Sequence, residues 1–301
     1  MNYGSVCSGI EAATVAWHHM GWKPSFFSEI DNFPRAVLAH HYPDVPLHGD
    51  FTTIQDGDYE PINLLVGGTP CQSFSVAGLR KGLDDPRGNL MLGFGALAKR
   101  LRPTWLVWEN VPGVLSANKG RDFGTFLGML AELGYGFAYR VLDARYAGLP
   151  HSRKRVFVVG YRGDWRCPAN VLFKQDGCPR NIKEGGAGRK SFAPETRSRI
   201  ANDSGVFGCL VKGASKYHNL SNQEAFSGAY HLIDGGRLRN PTLREGCLLQ
   251  GFPENYLDPW HRSYWRCMGA LGNSMAVPVM RHIGERIEQV EEILKDQKEI
   301  A

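Results

Sequence analysis

The first 160 residues alternate short apolar runs with amphipathic stretches. Runs rich in β-branched and aromatic residues predict strands at 3–8, 25–30, 62–67, 104–109, 137–142 and 156–160. Apolar positions at helical spacing predict helices between them, at 11–20, 33–41, 90–100 and 123–132. Asn63-Leu64-Leu65-Val66 and Trp105-Leu106-Val107-Trp108 lack any polar alternation, as central parallel strands covered on both faces do. The pattern is that of an α/β protein. The link between the last two strands is too short for a crossover helix, so they are expected to be antiparallel neighbours. After Gly160 the pattern dissolves: from Arg162 to about Leu238, clusters of Gly, Pro, Asn and Ser indicate a loop-rich second domain. Val279, Ile283, Ile287, Val290 and Leu294 then predict an amphipathic helix over 278–295, packed back on the α/β core.

Composition narrows the class. The chain has 301 residues, 43% hydrophobic and 22% charged, which excludes disordered and fibrous proteins. That length can bury a large core and carry a smaller domain beside it. No uncharged apolar stretch reaches the roughly 18 residues of a membrane span. The N-terminus lacks a basic region and carries Glu11 within its apolar part, so a cytoplasmic protein is expected. Seven cysteines, an odd number with no CxxC pair, argue against a disulfide framework or a zinc ribbon, and no metal is expected. Charge is uneven: residues 151–240 hold 16 Lys and Arg against 7 Asp and Glu, a net of +9, while the segments before and after are each −2. Such a concentration points to a polyanion, most simply nucleic acid.

Four segments carry candidate chemistry. Gly67-Gly68-Thr69-Pro70-Cys71-Gln72-Ser73-Phe74-Ser75 follows a buried strand, where open α/β sheets bind ligands, and presents Cys71 on a loop suited to a nucleophile. Glu109 ends the strand before Asn110-Val111 at the same edge, where partial desolvation would let it hold a proton near neutral pH. Arg153 and Arg155, two apart at the entrance of an antiparallel strand, would point the same way toward that edge. The turn Ser8-Gly9-Ile10-Glu11 after the first strand and Glu29 at the end of the second stand where nucleotide-like ligands bind, with Asp50 placed for an adenine amino group.

Together these segments resemble the DNA cytosine-C5 methyltransferases. PCQSFS at 70–75 is similar to the nucleophile loop, Glu109-Asn110-Val111 to the ENV motif, and Arg153-Lys154-Arg155 to the RxR pair. RNPTLRE at 239–245, Leu249-Gln250-Gly251-Phe252-Pro253 and Gly272-Asn273-Ser274 resemble the motifs that return to the core. The resemblance implies a Rossmann-like S-adenosylmethionine-dependent methyltransferase domain with a small inserted target-recognition domain. Its parts would be a catalytic and cofactor-binding domain at 1–162, a small basic recognition domain at 163–238, and a return segment at 239–301. It further implies methyl transfer to C5 of a flipped-out cytosine in a specific duplex DNA sequence, through a covalent bond from Cys71 to C6. Cys71, Glu109, Arg153 and Arg155 would be catalytic, with Pro70, Gln72, Ser75 and Asn110 on the substrate side. Gly9, Glu29, Asp50, Leu90 and Asn273 would hold S-adenosylmethionine. A monomer is expected, with a cognate restriction endonuclease as a functional partner. The sequence departs from the family pattern at Cys7, Glu11 and Ala12, which replace an aromatic residue and two glycines, and at His151, which replaces a glutamine. The alternatives are a tRNA cytosine-C5 methyltransferase, an idle DNA-binding homologue, and a hydrolase using Cys71 and His151.

Overall fold

The computed structural model describes residues 1–70, 90–173, 232–234 and 237–300. Cys71, Gln72, Ser75 and most of the basic segment lie outside them.

Seven strands form one sheet: β1 (Asn2–Val6), β2 (Lys23–Ser28), β3 (Leu47–His48), β4 (Leu64–Gly67), β5 (Trp105–Asn110), β6 (Tyr135–Asp143) and β7 (Lys154–Arg162). Their order is β3-β2-β1-β4-β5-β7-β6. The first five are parallel, whereas β7 runs antiparallel to both β5 and β6. The expected antiparallel pairing of the last two strands is therefore present, and β7 is additionally inserted between β6 and β5. The strand order reverses direction at β1, which opens a crevice at the carboxyl ends of β1 and β4.

Helices cover both faces. α1 (Ala12–Trp17), α2 (Asn32–His41), α3 (Leu90–Leu101) and α4 (Arg121–Glu132) occupy the predicted crossovers. Alternate residues of one strand feed different cores, because successive side chains leave opposite faces. Leu64, Val66, Trp105 and Val107 join Trp17, Ile283 and Ile287 in one core. Leu65, Leu106 and Trp108 join Phe94, Leu97 and Phe126 in the other. Just past residue 162, α5 (Arg166–Leu172) contributes Cys167, Val171 and Leu172 to the first of these cores.

After the two-stranded hairpin β8 (Leu232–Asp234) and β9 (Arg237–Arg239), the chain returns through α6 (Leu243–Gln250), α7 (Tyr264–Asn273) and α8 (Val277–Ile300). RNPTLRE is a helix start: Thr242 and Glu245 form a reciprocal capping box on α6, and Arg239 grips Glu245 at 2.8 and 3.0 Å. Two indoles anchor α8, with Trp17 Nε1 donating to Met280 O at 2.8 Å and Trp105 Nε1 to Glu291 Oε1 at 2.7 Å. Among the described residues, no helix is long and apolar enough to cross a membrane.

Candidate active site

The turn leaving β1 is left-handed at Cys7, Gly9 and Glu11, with φ of 50°, 57° and 64°. Glycine adopts such angles freely, but a glutamate needs an anchor. Glu11 has one: its carboxylate accepts from Ser5 Oγ at 2.8 Å and caps α1 by accepting from Thr14 N at 3.1 Å. Burial pushes this carboxyl up to about 7, against the pull of those hydrogen bonds. Glu29, at the end of β2, is oriented by three amides: Gly9 N at 2.9 Å, Ile30 N at 2.8 Å and Asp31 N at 2.9 Å. Asp50 caps the 3-10 turn Phe51–Thr53, accepting from Thr52 N at 2.9 Å and Thr52 Oγ1 at 2.8 Å.

At the exit of β4, side chains of β5 hold the backbone that leads to Cys71. Trp108 Nε1 donates to Thr69 Oγ1 at 3.0 Å, and Asn110 Nδ2 donates to Thr69 O at 2.9 Å. Gly68 leaves room for the acid beside it, since a Cβ there would lie 3.1 Å from Glu109 Oε2. Glu109 is buried, and Arg155 Nε stands 3.2 Å from its Oε1. Burial raises the proton affinity of this carboxyl, while the guanidiniums of Arg153 and Arg155 oppose the rise. Arg153 does not reach out as Arg155 does: its terminal nitrogens donate to Gly272 O at 3.0 Å and Ser274 O at 2.7 Å. Asp143 holds the backbone just before β7, accepting from Arg153 N at 3.1 Å and pairing with Arg145 Nε at 2.9 Å.

One cavity of about 890 Å³ lies at the carboxyl edge of the sheet. Gly9, Glu29, Pro70, Leu90, Glu109, Asn110, Arg153, Arg155 and Asn273, all singled out in the sequence, line it. Asp50 is not among its lining residues; its neighbour Phe51 is, so the carboxylate at 50 serves the turn that presents an aromatic ring. His151 is not there either. It is buried, shares a hydrogen bond with Leu249 O at 3.2 Å, and burial reinforced by Arg153 pushes its pKa down to about 3. A neutral imidazole sealed away from the cavity speaks against the hydrolase alternative. Sequence reasoning missed Ile30, Phe51 and Trp265 in the cavity wall. Trp265, Gly269 and Asn273 recur every fourth residue on α7 and so share the face that lines the cavity, although no apolar stripe marks that face in the sequence.

Comparisons with known proteins assign the family. Over 260 residues the chain is 42% identical to a protein of Escherichia phage P1 named DNA N-6-adenine-methyltransferase; the match spans 68% of this chain and 34% of that one. The chain thus corresponds to about a third of that relative's length. It is 32% identical to the type II methyltransferase M1.ScrFI of Lactococcus lactis subsp. cremoris, over 94% of this chain and 77% of the relative. Among solved structures, a variant of Spodoptera frugiperda DNMT2 superposes with a TM-score of 0.68 at 19% identity, over 95% of this chain and 99% of that one, a likeness of fold. The family model for C-5 cytosine-specific DNA methylases matches residues 1–177 and 174–289. The chain belongs to the C-5 cytosine-specific DNA methylase family.

Proposed function

We propose that the protein transfers a methyl group from S-adenosylmethionine to C5 of a cytosine flipped out of duplex DNA, with Cys71 as the nucleophile. The observation that carries this reading is convergence. Glu109, Arg155 and the anchored Thr69-Pro70 backbone share one cavity with Gly9, Glu29 and Asn273.

The cavity suits the cosubstrate. Glu29 retains acceptor capacity for ribose hydroxyls, since each carboxylate oxygen offers more than one lone pair. Ile30, 73% exposed, supplies apolar surface for a purine, and the largely buried Phe51 also borders the cavity. When bound, S-adenosylmethionine supplies an electrophilic methyl group on a sulfonium. Cytosine needs activation to accept it, because its C5 is a weak nucleophile. The Cys71 thiolate would add to C6 while Glu109 delivers a proton to N3, leaving an enamine-like C5 that takes the methyl. Transfer of the methyl would release S-adenosylhomocysteine; loss of the C5 proton, cleavage of the S–C6 bond and return of the N3 proton to Glu109 then restore the aromatic ring, the thiolate and the acid. A buried carboxyl with raised proton affinity fits the donor role of Glu109. Arg155 supplies positive charge where the O2 edge of the base would lie. Flipping costs a few kcal/mol of unstacking, which phosphate contacts from the basic segment would offset. Duplex DNA is the partner, and a cognate restriction endonuclease is the functional counterpart this reading implies.

The test needs no knowledge of the target sequence. Unmethylated genomic DNA is incubated with S-adenosylmethionine and either wild type or Cys71→Ala, then hydrolysed to nucleosides for mass analysis. New 5-methylcytosine with wild type and none with the variant is the expected result. N6-methyladenine would replace the cytosine reading with the activity named for the phage P1 relative. No methylated base, from folded protein, would transfer the reading to RNA or to an idle binder.

A further inference from the structure

Arg153 and Arg155 enter β7 two residues apart, yet their guanidiniums do different things. Arg155 lies beside Glu109. Arg153, 2% exposed, spends both terminal nitrogens on the carbonyls of Gly272 and Ser274, which bracket Asn273 at the end of α7. A planar fork can span two carbonyls in this way, and a cation is favoured at a helix C-terminus. The same turn is held from another side by Gln250 Nε2, which donates to Leu271 O at 2.7 Å. Asn273 faces the main cavity and, with Ser274, also lines a smaller recess that reaches Gly9, Glu11 and Gly68. The clasped turn is therefore the wall opposite the β1 turn.

We propose that Arg153 is a positioning residue for the cosubstrate: it clasps the Gly272-Asn273-Ser274 turn against the cavity, and Arg155 is the member of the pair that serves the base. This rests on the reading of the cavity as an S-adenosylmethionine site. Lysine at 153 keeps the charge but replaces a rigid fork with a single ammonium, so the two carbonyls lose their common donor.

Calorimetric titration with S-adenosylhomocysteine tests the division without DNA or turnover. Arg153→Lys is expected to raise the dissociation constant about tenfold, the effect of losing one charge-assisted hydrogen bond. Arg155→Lys should leave it within about twofold, below the scale of such a loss. Because Arg153 acts through Asn273, adding Arg153→Lys to Asn273→Ala should weaken binding no further than Asn273→Ala alone. Melting curves establish that each variant is folded at the titration temperature. If lysine is not tolerated, Arg153→Met, which removes the fork and keeps the bulk, should weaken binding in the same direction. Wild-type affinity in Arg153→Lys, or additive losses in the double variant, would overturn the proposal. Failure of wild type to bind S-adenosylhomocysteine at all would instead overturn the cofactor reading beneath it.

Discussion

Glu11 sits 1% exposed in a left-handed turn, with a carboxyl whose pKa burial lifts from 4.5 to about 7. Between those values the native state keeps a proton that the unfolded chain has released, so stability falls as pH rises through this window. Glu11→Gln mimics the protonated acid and removes that dependence. The melting temperature of the variant relative to wild type should therefore climb from about pH 5 to about pH 8, reflecting up to roughly 3 kcal/mol. A constant difference across the range would show that the buried carboxyl does not titrate there. At this scale the sequence was informative where chemistry is local: Glu29, Glu109 and Arg155 end or begin strands, and position along a strand fixes the edge they reach. It was uninformative where a partner is remote. The acceptors of Arg153 lie 119 and 121 residues further along the chain, and Thr69 finds Trp108 39 residues away. Asp50 shows a third case, in which a side chain of suitable chemistry is committed to its own backbone turn.

Among the elements, α8 was legible because its period-3.6 stripe runs over many turns, and Val279, Ile283, Ile287 and Val290 are all buried as the stripe requires. α7 was not, since Gly269 and Gly272 dilute its helical preference. β3 has two residues, too few to display any alternation. The helix predicted at 11–20 stops at Trp17 and continues as a 3-10 turn, His18–Met20, closed by Gly21 at φ 69°. α8 packs on α1 so closely that a Cβ on Gly284 would run into the Trp17 indole. Gly284→Ala should therefore cost about 1–3 kcal/mol despite the better helix propensity of alanine. Urea unfolding gives the number, and a variant as stable as wild type would mean that the two helices part without penalty.

For the whole molecule, the reversal of strand order at β1 explains why residues scattered from Gly9 to Asn273 meet at one edge. The reversed strand β7 brings two arginines to that edge by its beginning rather than its end. Net charge acts at this scale as well. The excess of +9 in residues 151–240 predicts that affinity for a duplex lacking the target falls steeply between about 50 and about 200 mM salt. A filter-binding or anisotropy series measures it, and a flat salt response would deny phosphate contact to the basic segment.

The cavity has two walls made far apart in time. Gly9 and Glu29 leave the ribosome well before Trp265 and Asn273, which are followed in turn by the helix that packs on α1. Until α7 has been translated the pocket lacks one of its walls, so a nascent chain cut short before it carries only part of the lining. Translation order thereby becomes a safeguard: under the proposed function, the methyl-transfer cavity is assembled only once both of its walls have been made.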